Sequence, residues 1–283
     1  MPRPGAGAFP AARSRAGPPV NAALRHAAAC LLLPLCAAAG AVQDYEVRVL
    51  ERKPQSREHF VQGLEIVDDK LYVSTGTYGG SGLYRYDFDD MRPQGARRLD
   101  RRIFAEGVTV LGERIYQLTW RNGRILVYDR DSLRPRGGMP LRGEGWGLTN
   151  DGRRLVVSDG SAQLHFLAAE DGRHLHSVEV REDGRPLRLL NELEWVDGQV
   201  WANVWRSDRI VIIDPDSGQV TASIDLSGLL PAAERRSDTD VLNGIARDPA
   251  SGAIWVTGKR WPWLYRIELL EVGEKPPLPA QSR

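Results

Sequence analysis

The chain has 283 residues, with 38 Lys and Arg against 37 Asp and Glu, two Cys and five His. That length suits one large domain or two ordinary ones, and a formal net charge of +1 gives no basic footprint for nucleic acid. Trp is over-represented: eight Trp equal eight Tyr and outnumber five Phe, although an indole N–H needs a partner wherever it is buried.

Residues 1–41 carry four Arg (Arg3, Arg13, Arg15, Arg25) and no acid. An apolar run from Ala27 to Ala39 follows, too short to span a bilayer. It ends in Ala39-Gly40-Ala41, a small-residue cleavage pattern. Basic start, short apolar middle and small-residue end predict a secretory signal peptide over 1–41, and hence a periplasmic or secreted protein with no membrane attachment after cleavage. Cys30 and Cys36 both fall in this segment. The mature chain then has no Cys and must rely on its core, for which about 240 residues suffice. Removing the four Arg leaves 34 basic and 37 acidic residues, a net charge of −3.

From residue 42 onward a repeat organises the chain. Five stretches share one pattern, a polar or aromatic residue, then usually Gly, then an aliphatic: Gln62-Gly63-Leu64, Glu106-Gly107-Val108, Trp146-Gly147-Leu148, Asn191-Glu192-Leu193 and Asn243-Gly244-Ile245. Their first residues are spaced by 44, 40, 45 and 52 positions. Each is followed by a turn signal (Asp68-Asp69, Gly112-Glu113, Asp151-Gly152, Asp197-Gly198, Ser251-Gly252). A strand-like run comes next (LYVSTG, RIYQLTW, RLVVSDG, QVWANVW, AIWVTGK) and then a third strand (GLYRYD, RILVYD, QLHFL, RIVIIDP, WLYRIEL). Alternating apolar residues between Gly and Asp turns predict antiparallel strands, and no long helical period competes. A period of 40–52 residues with about four strands predicts an all-β fold, a five-bladed β-propeller over 42–274 with its site on the central axis. YEVRVL (45–50) is the expected closing strand beside the last blade. The Pro-rich tail, 275–283, is expected to be disordered.

The repeat also points to a site. The first pattern residue opens the inner strand and the second strand returns beside it. Two rings of five positions should therefore share one face: Gln62, Glu106, Trp146, Asn191 and Asn243, and then Gly76, Trp120, Gly160, Trp205 and Lys259. The scaffold repeats while these residues differ, as expected of a site grafted on a fold. One carboxylate, one ammonium, several amides and three indoles make an apolar pocket with a few converging polar groups. Trp201 and Trp255 take mid-strand core positions, leaving Trp195, Trp261 and Trp263 unassigned.

FVQGLEI, LYVSTGTYGGSGLYRYD, FAEGVTVLGERIYQLTW, GEGWGLTNDGRRLVVSDG, LNELEWVDGQVWANVWRSDRIVIIDP, DVLNGIARDP and VTGKRWPWLYRIEL together resemble the plant-type glutaminyl-peptide cyclotransferases of plants and bacteria. The resemblance runs from Phe60 to about Leu269, and it too implies a five-bladed propeller. The implied activity converts N-terminal glutaminyl residues of peptides or proteins to pyroglutamate with release of ammonia. The family's catalytic carboxylate falls on Glu106, which would act as general base and then acid. Its substrate amide falls on Asn191 and its lysine on Lys259, both taken as catalytic. Its pocket residues fall on Phe60, Gln62, Phe104, Trp120, Trp146 and Trp205, to which the repeat adds Asn243 as substrate-binding.

The animal counterparts use zinc on an unrelated fold. Here His174 and His176 share a strand face by alternation but lack a third ligand at sensible spacing, so no metal and no cofactor is expected. Nothing signals an oligomer, and a monomer is the default. Two other classes stay open. A metal-dependent propeller hydrolase of the lactonase kind would need several axial acids, where these rings hold one Glu and a Lys. A non-catalytic peptide-binding propeller would bind without turnover.

Overall fold

The computed structural model describes residues 42–272. The expected signal peptide, 1–41, and the expected disordered tail, 275–283, lie outside those residues. The described chain is all-β, apart from one 3-10 turn at Ala232–Glu234.

After β1 (Gln43–Pro54), the strands come in groups. The first is β2 (Val61–Val67), β3 (Lys70–Thr75), β4 (Gly82–Asp87) and β5 (Pro93–Arg98). The second is β6 (Ala105–Leu111), β7 (Arg114–Thr119), β8 (Arg124–Asp129) and β9 (Pro135–Pro140). The third is β10 (Leu148–Asn150), β11 (Arg154–Ser158), β12 (Gln163–Ala168) and β13 (His174–Glu179), followed by a small hairpin, β14 (Arg181–Glu182) and β15 (Arg185–Pro186). The fourth is β16 (Leu190–Val196), β17 (Gln199–Val204), β18 (Arg209–Ile213) and β19 (Val220–Asp225), and the last holds β20 (Leu242–Arg247), β21 (Ile254–Gly258) and β22 (Trp263–Glu271).

The first three groups are separate four-stranded sheets in sequence order. β1 completes the last group, running antiparallel along β22 from Tyr45 opposite Glu271 to Pro54 opposite Trp263. Its first residues also lie parallel to β19, Gln43 opposite Ala222. That second edge joins the fourth and fifth groups into one eight-stranded sheet.

The turn signals do what their chemistry requires. Asp68 and Asp69 both take positive φ (47° and 57°), as do Asp197 and Gly198 (47° and 88°), the backbone that a two-residue hairpin matched to strand twist needs. Alternation then puts apolar residues on both faces of each group. Five hydrophobic clusters result, and each is shared by two successive groups. Tyr72 and Leu83 meet Val108 and Ile115; Tyr116 and Leu118 meet Leu148 and Leu155. Val156 and Phe166 meet Leu193 and Val200; Trp201 and Ile212 meet Ile245 and Tyr265. Finally, Ala246, Trp255 and Leu264 of the last group meet Leu64 and Leu71 of the first. The innermost strands β2, β6, β10, β16 and β20 touch in the same cyclic order, β20 against β2.

Candidate active site

At four of the five pattern positions the ladder between inner and second strand slips, between Val61 and Gly63, Ala105 and Val108, Leu190 and Leu193, and Leu242 and Ile245. Gln62, Glu106, Asn191 and Asn243 sit in these β-bulges. A bulge re-aims the side chain it carries and is frequent beside active sites. Trp146 lies just ahead of β10, its amide donating to the Ser158 carbonyl at 2.9 Å. The pattern glycines let the inner strands close up. A Cβ on Gly63 would lie 2.4 Å from the Val108 amide nitrogen, one on Gly107 2.4 Å from that of Leu148, and one on Gly147 1.9 Å from the Asn191 carbonyl oxygen.

The bulges surround a cavity of about 460 Å³. Phe60, Gln62, Phe104, Glu106, Trp120, Trp146, Asn191, Trp205 and Lys259 all line it, so nine of the ten expected residues converge. Asn243 is not among the lining residues. It is buried behind Gln62, its Nδ2 donating to the Val61 carbonyl at 3.0 Å and to Gln62 Oε1 at 3.3 Å. The aromatic wall has two runs of edge-to-face contacts: Phe60, Phe104 and Trp120, with ring centres 6.4 and 5.5 Å apart, and Trp146 with Trp205, 5.3 Å apart. The second-ring glycines make room for it. A Cβ on Gly76 would stand 2.3 Å from the Phe104 ring, and one on Gly160 2.7 Å from the Trp146 indole. Trp201, Trp255 and Trp261 are buried in the cores between groups, and Trp195 and Trp263 pack half-buried against them.

Glu106 and Lys259 are the buried charged groups of the pocket. Burial pushes the Glu106 carboxyl well above the ordinary carboxylate range, Lys259 pulls it back, and Glu144 pushes it further up. Burial likewise lowers the Lys259 ammonium, against the stabilising charges of Glu106 and Asp240. The Lys259 Nζ stands 5.0 Å from the centre of the Phe60 ring. Among the described residues no side chain or amide donates to the Glu106 carboxylate, so its oxygens are left for a ligand.

Sequence reasoning missed Arg206 and Asp240, which also line the cavity, and Glu144, which accepts hydrogen bonds from both Trp120 and Trp146. None of the three holds a ring position; an acid two residues ahead of a pocket Trp was the one available signal for Glu144. It also missed Glu192, read only as a variant of the pattern glycine. Glu192 is buried, and its carboxylate accepts from the amides of Leu64 (3.1 Å) and Ile245 (2.8 Å).

His165 and His174 meet at the Ser177 hydroxyl with ring centres 6.0 Å apart, but His176 is turned away from them. A bulge in β13 between the partners of Phe166 and Leu167 puts His174 and His176 on opposite faces, correcting the shared face that simple alternation predicts. His176 stacks on Phe166 at 4.4 Å, while His174 Nε2 meets the Ser177 hydroxyl at 2.8 Å. His59 is buried beside the Tyr86 hydroxyl, and burial lowers its pKa to about 4. Among the described residues no group of three or more His, Cys, Asp or Glu is arranged to hold a metal.

A closed series of β-groups carries an aromatic pocket lined by a buried carboxylate and a buried ammonium, two groups able to exchange protons with a ligand. Known proteins are similar to this chain. The glutamine cyclotransferase family model matches residues 22–269. A glutaminyl-peptide cyclotransferase of Arabidopsis thaliana is 38% identical over 236 residues, covering 81% of this chain and 73% of that protein. The crystal structure of Myxococcus xanthus glutaminyl cyclase aligns with a TM-score of 0.76 at 35% identity, over 81% of this chain and 98% of that one. The chain belongs to the glutamine cyclotransferase family.

Proposed function

We propose that this chain is a five-bladed β-propeller that converts N-terminal glutaminyl residues of peptides or proteins to pyroglutamate, releasing ammonia, with Glu106 as the proton carrier. The propeller reading is supported by the five cores, each between neighbouring groups, and by the cyclic contacts of the inner strands. The observation that carries the chemistry is Glu106: a buried carboxyl of raised proton affinity, without a protein donor, across from Lys259 in an aromatic cavity.

In the reaction the substrate's α-nitrogen attacks its own side-chain amide carbon. A C–N bond forms, the old bond to the amide nitrogen breaks, and ammonia leaves. Ring closure is intramolecular, so the protein's tasks are orientation and proton transfer. A free α-amine has a pKa of about 7.7–8.0, so much of it is protonated at neutral pH. Glu106 holds the amine, takes the proton it sheds on attack, and delivers that proton to the departing nitrogen. A carboxyl whose pKa lies above the ordinary range suits both halves of that exchange. Lys259 and Asn191 face the amide and stabilise the oxyanion that develops on it. The aromatic wall excludes water and admits a chain end.

With residues 1–41 read as an export leader, the substrates are peptides met in the periplasm or outside the cell, and the enzyme works as a monomer without a metal. Purified protein incubated with Gln-initiated and Glu-initiated peptides side by side, followed by mass spectrometry, tests the activity. Accelerated ammonia loss from the Gln peptide is expected. Binding without turnover would make the chain a peptide-binding propeller.

A further inference from the structure

The aromatic wall falls into two runs, with a gap between Trp120 and Trp146. Phe60, Phe104 and Trp120 form one run of touching rings, Trp146 and Trp205 the other. At the gap the Trp120 and Trp146 indole N–H groups converge on one oxygen, Glu144 Oε2, at 2.8 and 3.0 Å. The other oxygen accepts from Arg121 Nε at 2.8 Å, and the Arg121 guanidinium lies 3.9 Å over the Trp120 ring. The loop bearing Glu144, between β9 and β10, is itself tied down, since the Gly145 amide donates to the Trp120 carbonyl at 3.0 Å. A Cβ on Gly145 would stand 2.7 Å from Leu141 and 3.1 Å from the Thr119 carbonyl oxygen, so the backbone there is closely packed.

We propose that Glu144 is a positioning residue of the cyclisation site: it joins the two halves of the aromatic wall through the indole N–H groups of Trp120 and Trp146. Nothing else in the pocket fixes both indoles at once. A planar ring against a substrate end must be held in angle as well as place, and an edge-on hydrogen bond to a charged acceptor does that more strongly than a neutral one. The carboxylate is suited to the role. Burial opposes its charge, but the bonds from Trp146, Arg121 and Trp120 outweigh this and hold it ionised below the ordinary range. The charges facing Glu106 are Lys259, which favours its ionised form, and Glu144, which opposes it; Asp240 and Arg206 complete the charged lining of the cavity.

The proposal rests on the cyclisation reading, so wild-type turnover of a Gln-initiated peptide is the first measurement. If wild type has none, that reading fails and Glu144 is not reached. Given turnover, Glu144→Ala should lower kcat/KM by roughly 10- to 100-fold, the range for hydrogen bonds to a charged group. Glu144→Gln keeps an acceptor oxygen for the indoles and loses the charge. It should recover most of that kcat/KM at neutral pH, while the acid limb of its pH profile moves to lower pH as Glu106 loses a like-charged neighbour. Wild-type kcat/KM in Glu144→Ala overturns the proposal. So does a Glu144→Gln enzyme as impaired as Glu144→Ala with its acid limb unmoved, which is what a merely structural role would give.

Discussion

Glu106 in β6 and Glu192 in β16 belong to the same ring of inner strands, both buried, both pushed well above the ordinary carboxylate range by that burial. They differ in what reaches their oxygens. Glu192 stands where the other four patterns have glycine, and its carboxylate accepts the Leu64 amide of the first group and the Ile245 amide of the last. Its buried neighbours are similarly engaged: Glu65 accepts the Val110 amide at 2.9 Å and Glu194 the Arg247 amide at 2.7 Å. Glu106 has no such donor, and faces a cavity and an ammonium instead. Burial and raised proton affinity therefore do not separate a structural acid from a catalytic one here. Hydrogen-bond satisfaction does, because a satisfied carboxylate knits strands together while an unsatisfied one awaits a ligand.

That division is broken most directly by Glu106→Gln. Removing the proton carrier should cut turnover by roughly 10²–10⁴-fold while leaving the melting temperature near that of wild type, since no protein bond to the carboxylate is lost. Full activity in the variant would remove Glu106 from the chemistry. Glu192→Ala should do the reverse. It strands two buried amides, each costing about 1–3 kcal/mol. At about 2–4 °C per kcal/mol for a domain of this size, the melting temperature should fall by roughly 5–20 °C, with kcat of the folded fraction largely kept. Lost turnover with unchanged stability would merge the two classes.

The strands and pocket are legible because the turn chemistry recurs, and so does the pattern of a polar or aromatic residue, usually Gly, and an aliphatic. The contrast between the two acids is not. A β-bulge leaves no fixed residue signature, and four of the five pattern positions depend on the backbone around them rather than on side-chain type. Glu192 in a glycine position reads as a lapse in the repeat until its carboxylate is seen spanning two strands. In the outer strands β5 (PQGARR) and β9 (PRGGMP) only Met139 is buried, so nothing forces apolar alternation on them, and they enter only through the overall period. Glu144 holds the place two residues ahead of its pattern residue, where Phe60, Phe104, Leu189 and Val241 stand in the other groups, so the repeat leads one to expect an apolar residue there and not an acid.

The structural acids should also leave a mark on stability against pH. Burial raises Glu65 to about 7 from an ordinary value of 4.5, against the favourable bonds from Thr109 and Val110. The folded protein thus holds the proton more tightly than the unfolded chain does. The stabilisation is complete below about pH 4.5 and is lost as pH rises through about 7. Glu65→Gln, which keeps an acceptor for the Val110 amide and carries no charge, should match wild type near pH 4.5 and melt a few degrees higher by pH 8. A gap that is constant with pH would mean Glu65 does not titrate in this window.

The smallest effect expected is on the catalytic acid itself. Lys259 favours the ionised form of Glu106, whereas burial and Glu144 both oppose it. In Lys259→Met only the two opposing influences remain, so Glu106 should hold its proton to higher pH. Cyclisation needs the carboxylate to receive the amine's proton, and the acid limb of kcat/KM should therefore move upward by roughly one pH unit, alongside any loss of oxyanion support. Glu192→Gln serves as the control, since its position is occupied by amides and does not face the amine; its limb should coincide with wild type. An acid limb that moved down in Lys259→Met, or moved equally in both variants, would mean that the group controlling turnover is not the unsatisfied carboxylate across from the lysine.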